Sequence, residues 1–149
     1  MELKHLGIEE REALLPDLLT VWEASVRATH DFLRDGDVDF LRPYVEQGLR
    51  EIPELICVLE EGHPLALLGM AEDSIEMLFV HADSRRKGIG SALMREALSL
   101  GASRVDVNEQ NPQALSFYQC FGFEVVSREA VDSLGLPYPI LHCSLPEKA

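Results

Sequence analysis

The residues with the clearest chemistry lie in a short basic loop that contains glycine. Arg85, Arg86 and Lys87 are the only three consecutive cations in the chain, and Gly88 and Gly90 follow them. The loop leaves an apolar segment and opens a helical pattern, and the free N–H groups at a helix N-terminus attract anions. Glycine removes the side chains that would keep a pyrophosphate from the backbone. The loop therefore predicts a phosphate site, and the alternative is a helix start behind a solvated basic loop.

Two other phosphate-binding motifs fit this loop poorly. A Walker A loop requires Gly-x-x-x-x-Gly-Lys-Ser/Thr, and the sequence has no such run. The dinucleotide fingerprint Gly-x-Gly-x-x-Gly fails at its third glycine, where Leu93 stands. Its first glycine should also follow the strand directly, whereas Gly88 follows Val80 by eight residues. Asp106, at the end of the next strand-like segment, could replace the ribose-binding acid, which leaves a nicotinamide dinucleotide as a remote alternative.

The amino-terminal elements that must support the loop are predicted from apolar residues at helical spacing. One helix is expected from about Glu9 to Thr29, restarting at Pro16 because proline suits a first turn. A second helix is expected to begin near Asp37, whose side chain can cap it, and Pro43 argues against a regular helix in its first half. Apart from a short strand over residues 3–8, the sheet is therefore expected from the rest of the chain.

The rest of the chain alternates between strand-like and helical segments. Apolar runs predict strands over residues 55–59, 65–70, 74–80, 104–107, 123–130 and 139–145. Helices are expected over residues 91–100 and from Asn111-Pro112, a capping residue followed by proline, to Gly122. The strand–helix–strand unit over residues 74–107 implies a parallel pair within a mixed α/β fold.

Composition limits the class of protein. The 149 residues include 46% hydrophobic and 26% charged residues, which predicts one folded domain over residues 1–149. The net charge of −13 disfavours nucleic acid, and one basic spot on an acidic protein suits a small anionic ligand. No long apolar run or signal-peptide pattern occurs, which predicts no membrane span and a cytoplasmic location. The three cysteines (Cys57, Cys120 and Cys143) fit neither a disulfide framework nor a zinc site, and the histidines have no ligand-like spacing, so no metal is expected.

Two segments together resemble a known family. The run from Arg85 to Gly90 resembles the Arg/Gln-x-x-Gly-x-Gly/Ala loop of the GNAT superfamily of acyl-CoA-dependent N-acyltransferases. The run from Asn111 to Phe123 is similar to that family's Asn-x-x-Ala-x-x-Phe-Tyr-x-x-x-Gly-Phe helix, and Ile75 to Asp83 resembles its central strand and exit. Both motifs occur in the family's order, with one helix and one strand between them.

The resemblance implies a fold and a cofactor slot. The fold is α/β (α+β), with a mixed, mostly antiparallel sheet of about six to seven strands, a splayed parallel pair at the slot, and about four flanking helices. Acetyl-CoA would be the cosubstrate. Backbone groups of the central strand would hold its pantetheine arm, and N–H groups of the glycine loop would hold its pyrophosphate, with added charge from the cations. The residues implied in cofactor binding are Leu78, Phe79, Val80, Arg85, Arg86, Lys87, Gly88, Ile89, Gly90, Ser91, Asn108, Asn111, Ala114 and Tyr118.

The chemistry implied is acyl transfer to an amine. A lysine-like amine has a pKa of about 10.4, so its deprotonation at pH 7 costs roughly 4.6 kcal/mol. By resemblance, Tyr118 protonates the departing thiolate, and the alternative is a core aromatic on the helix face that it shares with Phe117. Glu76, on the central strand, is the candidate base, and the alternatives are an ordinary exposed glutamate and a water relay. Asn111 is expected to cap its helix as well as to contact the cofactor.

The acceptor side is less specific. In the family the first helix pair covers the acceptor site, and a subset of bacterial members carries a Thr-His-x-Phe-Leu run with a late Gly-x-Pro-Tyr-Pro, as residues 29–33 and 135–139 do here. His30, Phe32, Trp22 and Glu76 are the candidate substrate residues, and structural roles are the alternatives for His30 and Trp22. The sequence is thus interpreted as a monomeric or homodimeric N-acetyltransferase that transfers the acetyl group directly to a small-molecule or protein amine. A CoA-binding regulatory module without turnover is the alternative.

Overall fold

The computed structural model describes residues 1–29, 36–84 and 87–146. In these ranges the chain forms seven strands, four α-helices and one 3₁₀ turn at Ala82–Ser84. The strands are β1 (Glu2–His5), β2 (Glu54–Glu60), β3 (His63–Ala71), β4 (Ser74–Val80), β5 (Arg104–Asn108), β6 (Glu124–Glu129) and β7 (Ile140–Ser144). The helices are α1 (Ile8–Thr29), α2 (Asp37–Glu51), α3 (Ile89–Ser99) and α4 (Pro112–Cys120). None of the helices in these ranges is long and apolar enough to cross a membrane.

All seven strands belong to one sheet. Their order is β1-β2-β3-β4-β5-β7-β6, and every neighbouring pair is antiparallel except β4 and β5. The parallel pair makes only two register contacts, Ser74 with Arg104 and Ile75 with Val105, and the strands then separate. The expected mixed sheet with a splayed parallel pair and four flanking helices is confirmed.

A β-bulge in β4 lies at the point where the two strands separate. Gly69 on β3 pairs with Met77, and the next residue on β3 pairs with Ile75, so Glu76 is an extra residue without a partner on β3. A bulge changes which face the following side chains occupy. Ile75 and Leu78 therefore pack on one face of the sheet, whereas Met77 packs on the other. This explains the glutamate between two apolar residues, because the bulge leaves its side chain exposed.

Two layers of helices cover the two faces of the sheet. Leu93 and Met94 of α3 are fully buried and pack against strand residues such as Leu68 and Met70. On the other face, Leu18 of α1 and Leu49 of α2 belong to a second cluster with further strand residues, which include Leu55 and Leu67. Burial of each such side chain contributes about 1.5–3 kcal/mol. The strands between the layers read as continuous apolar runs because both of their faces are buried.

The amino-terminal helices differ from expectation in two ways. Helix α1 is one helix and does not restart at Pro16, and α2 runs through Pro43. Both prolines are exposed, so the carbonyl that each leaves without an N–H partner can bond to water while the opposite face stays packed. Asp37 does not cap α2. The N-cap is Gly36, with φ +89° and no side-chain cap, and Asp37 is the first helical residue.

The C-terminus of α2 is held by a buried arginine that sequence patterns did not indicate. Arg11 of α1 is 6% exposed, and burial lowers its pKa. Its guanidinium donates hydrogen bonds to the backbone carbonyls of Leu6 (3.0 Å), Leu49 (3.3 Å), Arg50 (3.4 Å), Ile52 and Pro53 (3.3 Å). The last carbonyls of a helix lack intrahelical partners. Arg11 donates hydrogen bonds to these carbonyls and so joins α1 to α2.

Candidate functional site

A cavity of about 1010 Å³ occupies the fork between β4 and β5. It extends from Ser25 on α1, across the second half of β4, to the N-termini of α3 and α4. This volume is at the upper end of the range typical of ligand sites, about 300–1,000 Å³. The described lining residues are Ser25, Leu78, Phe79, Val80, Ala82, Ser84, Gly88, Ile89, Gly90, Ser91, Asn111, Pro112, Gln113, Ala114, Ser116, Phe117 and Tyr118.

The N-terminus of α3 forms one end of the cavity. Gly88 is its N-cap at φ +76° and ψ 8°, and no side chain caps the first turn. A Cβ atom at Gly88 would strain this left-handed backbone, and it would meet nothing within 4 Å because it would point into open space. A Cβ at Gly90 would lie 3.6 Å from Val80 Cγ2 and 3.7 Å from Phe117 Cζ, which are ordinary contacts. The glycine requirement is therefore strict at 88, and the uncapped N–H groups suit an anion.

Of the three cations of the loop, the structure describes only Lys87. Lys87 is exposed and does not line the cavity, and Ile89 and Ser91 behind it do. Arg85 and Arg86 lie outside the described residues. The part of the predicted phosphate loop that the structure describes is therefore the backbone from Gly88 to Ser91 and not its side-chain charges.

The separation of β4 from β5 opens one edge of a strand. Beyond Ile75 the described part of β5 offers no ladder partner to β4, although β4 stays paired with β3 through Val80. A row of backbone N–H and C=O groups without strand partners can bind an extended ligand as a further strand would. Leu78, Phe79 and Val80 all line the cavity at this edge. An amide-containing arm such as pantetheine fits this edge.

Tyr118 lies where the cavity meets the core. Its side chain is 7% exposed, and its ring packs edge-to-face against Phe117 (5.4 Å between centroids) and Phe123 (6.0 Å). Burial raises the pKa of Tyr118, so the phenol stays protonated at neutral pH. Within the described residues the hydroxyl has no hydrogen-bond partner, although its residue lines the cavity. The arrangement presents one O–H donor to a ligand.

Phe117 packs against the core, as predicted, and also lines the cavity, which sequence reasoning did not predict. It is half-buried and contacts the rings of Tyr118 and Phe121, and its Cζ lies 3.7 Å from the position that a Cβ at Gly90 would take. Its helix is short, and neighbouring positions of a short helix can face either the core or the cavity.

The side-chain amides of Asn108 and Asn111 hydrogen-bond to backbone N–H groups near the start of α4. Asn111 is 9% exposed, lines the cavity and caps α4 by accepting a hydrogen bond from the Ala114 N–H at 3.2 Å. Ala114 also lines the cavity. Asn108 does not, since its side-chain oxygen accepts the Gln110 N–H at 2.9 Å and forms a turn. Of the two asparagines, the structure brings only Asn111 to the cavity.

The candidate acceptor residues are not brought together. Trp22 is 2% exposed in a core cluster with Val26 and Val38, with the Arg42 guanidinium 5.8 Å from its ring, and it does not line the cavity. Glu76 is exposed at the bulge and also lies outside the lining. His30 and Phe32 lie outside the described residues. The described lining on this side is Ser25 and Phe79.

The polar groups of the cavity are almost all neutral. Apart from Tyr118, its described lining has no ionisable side chain, only hydroxyls and carboxamides. Asp106, the possible ribose-binding acid, lies outside the lining with its Oδ1 2.6 Å from His142 Nδ1. A helix N-terminus, an open strand edge and a neutral phenol match a ligand with a pyrophosphate, an amide-containing arm and an acyl thioester. The residues present therefore fit acetyl-CoA.

Comparison with known proteins agrees with this fit. A family model described as an acetyltransferase (GNAT) domain matches residues 53–125. The chain is 38% identical to peptidyl-lysine N-acetyltransferase YjaB of Salmonella typhimurium over 130 residues, 87% of this chain and 90% of that protein. It is 39% identical to YjaB of Escherichia coli K12 over 127 residues, 85% of this chain and 86% of that protein.

Solved structures show the same fold. Apo-form YjaB from Escherichia coli superposes with a TM-score of 0.82 at 36% identity, covering 96% of this chain and 95% of that one. The PaiA N-acetyltransferase of Thermoplasma acidophilum, crystallised with coenzyme A, matches at a TM-score of 0.66 and 19% identity, over 95% and 98% of the two chains. This chain therefore belongs to the GNAT acetyltransferase family and is an N-acetyltransferase that uses acetyl-CoA.

Proposed function

We propose that the acceptor is the side-chain amine of lysine in proteins, and that the amine attacks acetyl-CoA directly in a ternary complex. The relatives at 38–39% identity are named peptidyl-lysine N-acetyltransferases, which supports the acceptor class. The observation that carries the mechanism is one continuous cavity, which joins the N-terminus of α3 to Ser25 on α1 and contains Tyr118. Such a cavity has room for donor and acceptor at the same time.

Direct transfer is favoured by the side chains at the site. An acyl-enzyme needs an activated nucleophile, and the described lining contains no cysteine, histidine or carboxylate. Cys57 and Cys143 are buried, and burial raises the pKa of Cys57 to about 11 and also raises that of Cys143. Cys120 is exposed but does not line the cavity. All three are free thiols in the structure.

The donor is held by backbone groups in this proposal. N–H groups from Gly88 to Ser91 bind the pyrophosphate, and the open edge of β4 binds the pantetheine arm. Acetyl-CoA supplies an activated acyl group as its thioester. A backbone N–H near Leu78 meets the oxyanion that develops on the acyl oxygen, where a fixed donor in a dry site stabilises charge more than water does.

Tyr118 supplies the proton for the departing thiolate. Its raised pKa keeps the O–H as a donor across the physiological range, so it acts as an acid and not as the base. Burial among Phe117 and Phe123 fixes the direction of the ring. Since the described lining holds no base, the amine loses its proton to water that enters from the acceptor side. Glu76, exposed at the fork, relays that proton to solvent in this scheme.

A peptide assay tests the acceptor. One peptide has a blocked N-terminus and a single lysine, a second replaces that lysine by norleucine, and a third has a free N-terminus without lysine. Mass spectrometry of the products should show acetylation of the lysine peptide alone. Acetylation of only the free N-terminus, or of only a small polyamine run in parallel, would overturn the lysine assignment.

Initial-rate kinetics test the mechanism with the same lysine peptide. Varying both substrates should give intersecting double-reciprocal lines, because both substrates are bound before either product leaves. Parallel lines would indicate an acetylated enzyme and would contradict direct transfer.

A further inference from the structure

We propose that the hydroxyl of Ser25 accepts a hydrogen bond from the attacking amine and so orients the lone pair of the amine toward the acyl group. Ser25 is then an amine-binding residue of the acetyl transfer. The inference rests on the proposed function, because it assigns a contact of the lysine side chain.

Ser25 is a polar residue on an apolar helix face. Leu18, Val21 and Trp22 lie on the same face of α1, within the two turns before Ser25, and each is at most 2% exposed. Ser25 is itself only 6% exposed, yet it lines the cavity. A buried hydroxyl costs free energy unless it is hydrogen-bonded. The residue that interrupts the apolar face is thus also the residue of α1 in the described lining.

The other buried polar residues of the described ranges lie elsewhere in the fold. Arg11 caps the C-terminus of α2, and Asn111 caps the N-terminus of α4. Ser84 ends the 3₁₀ turn that leads to the glycine loop, at the donor end of the cavity. Ser25 is therefore the buried polar side chain that the described part of the chain offers on the acceptor side.

Packing places Ser25 beside the second half of β4. Trp22 and Val26, on either side of Ser25 along α1, belong to a core cluster against which Phe79 packs. Phe79 follows Leu78 in the cavity lining, where the edge of β4 is open. In the proposed function this edge binds the pantetheine arm, and a backbone N–H near Leu78 meets the acyl oxygen. Ser25 therefore lies next to the expected position of the acyl group.

Ser25 and Tyr118 border the cavity from opposite helix layers. Tyr118 and Leu78 pack in the core cluster on the α3 side of the sheet, whereas Phe79 packs on the α1 side. An acyl group at the open edge of β4 has Tyr118 on one side and Ser25 on the other. The thiolate can then leave toward its proton donor while the amine arrives from the side of Ser25.

A hydroxyl has suitable chemistry for a neutral amine. It has one hydrogen and two lone pairs, so Ser25 can accept an N–H from the amine whatever bond its own hydrogen makes. The amine must be neutral to attack, and a carboxylate beside it would raise its pKa and favour the ammonium form. A hydroxyl carries no charge and does not favour that form. Its bond instead orients the nucleophile for attack.

The charged side chains on the elements around Ser25 lie outside the described lining. They are Glu23 and Arg27 of α1, Asp37, Asp39 and Arg42 in the first half of α2, Glu76 of β4, and His81 and Asp83 just after β4. Glu23 pairs with Arg42 and, at 3.6 Å, with Arg27. The described wall at the acceptor end is therefore neutral, and Ser25 is its hydrogen-bonding side chain.

The test removes the hydroxyl at constant shape. Ser25→Thr keeps the hydroxyl and Ser25→Val replaces it by a methyl group, so any cost of the added methyl is common to both. Ser25→Ala removes the hydroxyl without adding volume. Ser99→Ala is the matched control, because it makes the same change in a helix outside the described lining, where the hydroxyl donates to the Glu96 carbonyl at 2.7 Å. The unfolding midpoint of each variant shows whether it is folded.

We expect Ser25→Ala to lower kcat/KM for the lysine peptide about tenfold, the effect of losing one hydrogen bond. Ser25→Val should lose at least as much, and Ser25→Thr should stay within about threefold of the wild type. The norleucine peptide, used as an inhibitor, should keep its Ki within about twofold in every variant, because it has no side-chain amine to bind. The Kd for acetyl-CoA should change as little by calorimetry.

Each outcome supports or overturns the assignment. A wild-type enzyme that does not acetylate the lysine peptide would overturn the proposed function and this inference with it. With an active wild type, equal kcat/KM in Ser25→Thr and Ser25→Val, or in Ser25→Ala and Ser99→Ala, would overturn the inference alone. A Ki for the norleucine peptide that rises as activity falls would show that Ser25 only shapes the wall. A rise of about tenfold in the Kd for acetyl-CoA would place Ser25 at the donor and would also contradict the inference.

Discussion

Replacement of Tyr118 by phenylalanine separates catalysis from packing at this site. The phenyl ring keeps the edge-to-face contacts with Phe117 and Phe123, at centroid distances of 5.4 and 6.0 Å. The lost hydroxyl has no hydrogen-bond partner among the described residues, so no buried group is left unsatisfied. The free energy of unfolding should therefore change by less than about 1 kcal/mol. The chemical step, in contrast, loses its proton donor.

The expected loss of kcat is about 100-fold, or about 2.7 kcal/mol of transition-state stabilisation, the lower end of the effect of a positioned acid. Calorimetric titration should give an unchanged Kd for acetyl-CoA, because the proposed phosphate and pantetheine contacts come from backbone groups. Tyr44→Phe, the same change at an exposed tyrosine of α2 outside the described lining, serves as the control and should retain full activity. Equal kcat in the Tyr118→Phe variant and the wild type would refute the assignment.

The pH dependence gives a second check on Tyr118. Its pKa is raised by burial, so the folded protein holds this proton above pH 10, where an unfolded chain releases it. The unfolded state then binds fewer protons, and stability falls as the pH rises beyond about 10. Below that pH the wild-type kcat should show no decline that Tyr118→Phe removes. An alkaline limb near pH 8 that is absent from the variant would contradict a protonated acid.

Three further predictions follow from other contacts. Gly88→Glu places a carboxylate where the pyrophosphate is expected. Repulsion between the two negative charges, at about 5 Å and an effective dielectric of about 20, costs about 3 kcal/mol. Calorimetry should therefore show a rise of about 100-fold in the Kd for acetyl-CoA. Gly90→Ala should change it less than threefold, and equal effects would contradict the model of the loop. Arg11→Met leaves helix carbonyls unpaired and should lower the free energy of unfolding in urea by about 3 kcal/mol, whereas a loss below 1 kcal/mol would contradict the capping role. The hydrogen bond to Asp106 raises the pKa of His142. This bond therefore stabilises the fold below pH 6.5, and the stabilisation is lost as the pH rises through the raised pKa of the folded protein. NMR titration should give a His142 pKa above 6.5, and a pKa that Asp106→Asn leaves unchanged would refute this cause.

Local patterns were sufficient to predict most of the fold. Apolar runs located the strands, and the Asn111-Pro112 pair located the start of α4. The parallel pair followed from one strand–helix–strand unit. Parallel neighbours need a long crossover connection such as a helix, whereas antiparallel neighbours can be joined by a short turn. Pro16 misled the prediction of α1 because the cost of an interior proline depends on whether its side of the helix faces solvent, which spacing alone does not give.

The site was predictable only where its chemistry is local. Gly88 to Ser91 and Tyr118 lie within motifs of adjacent residues, and the structure places them on one cavity. Contacts such as the Arg11 cap of α2 join residues far apart in sequence, so no local pattern contains them. Trp22 was a candidate ligand because aromatic residues suit both binding sites and cores, and only its packing with Val38 distinguishes the two.

The extra residue at Glu76 decides which face of the sheet each later side chain of β4 occupies. Because the bulge shifts the alternation by one, Leu78 and Val80 pack toward α3 and α4, while Met77 and Phe79 pack toward α1 and α2. Pairing Glu76 into a regular ladder with β3 would shift the alternation and exchange the two sets of side chains between the two faces of the sheet. While the bulge is kept, Met77 and Phe79 can vary against α1 and α2 without disturbing the contacts of Leu78 and Val80 with the opposite helix layer. One extra residue thus lets the two faces of this strand change independently of each other, each with its own helix layer.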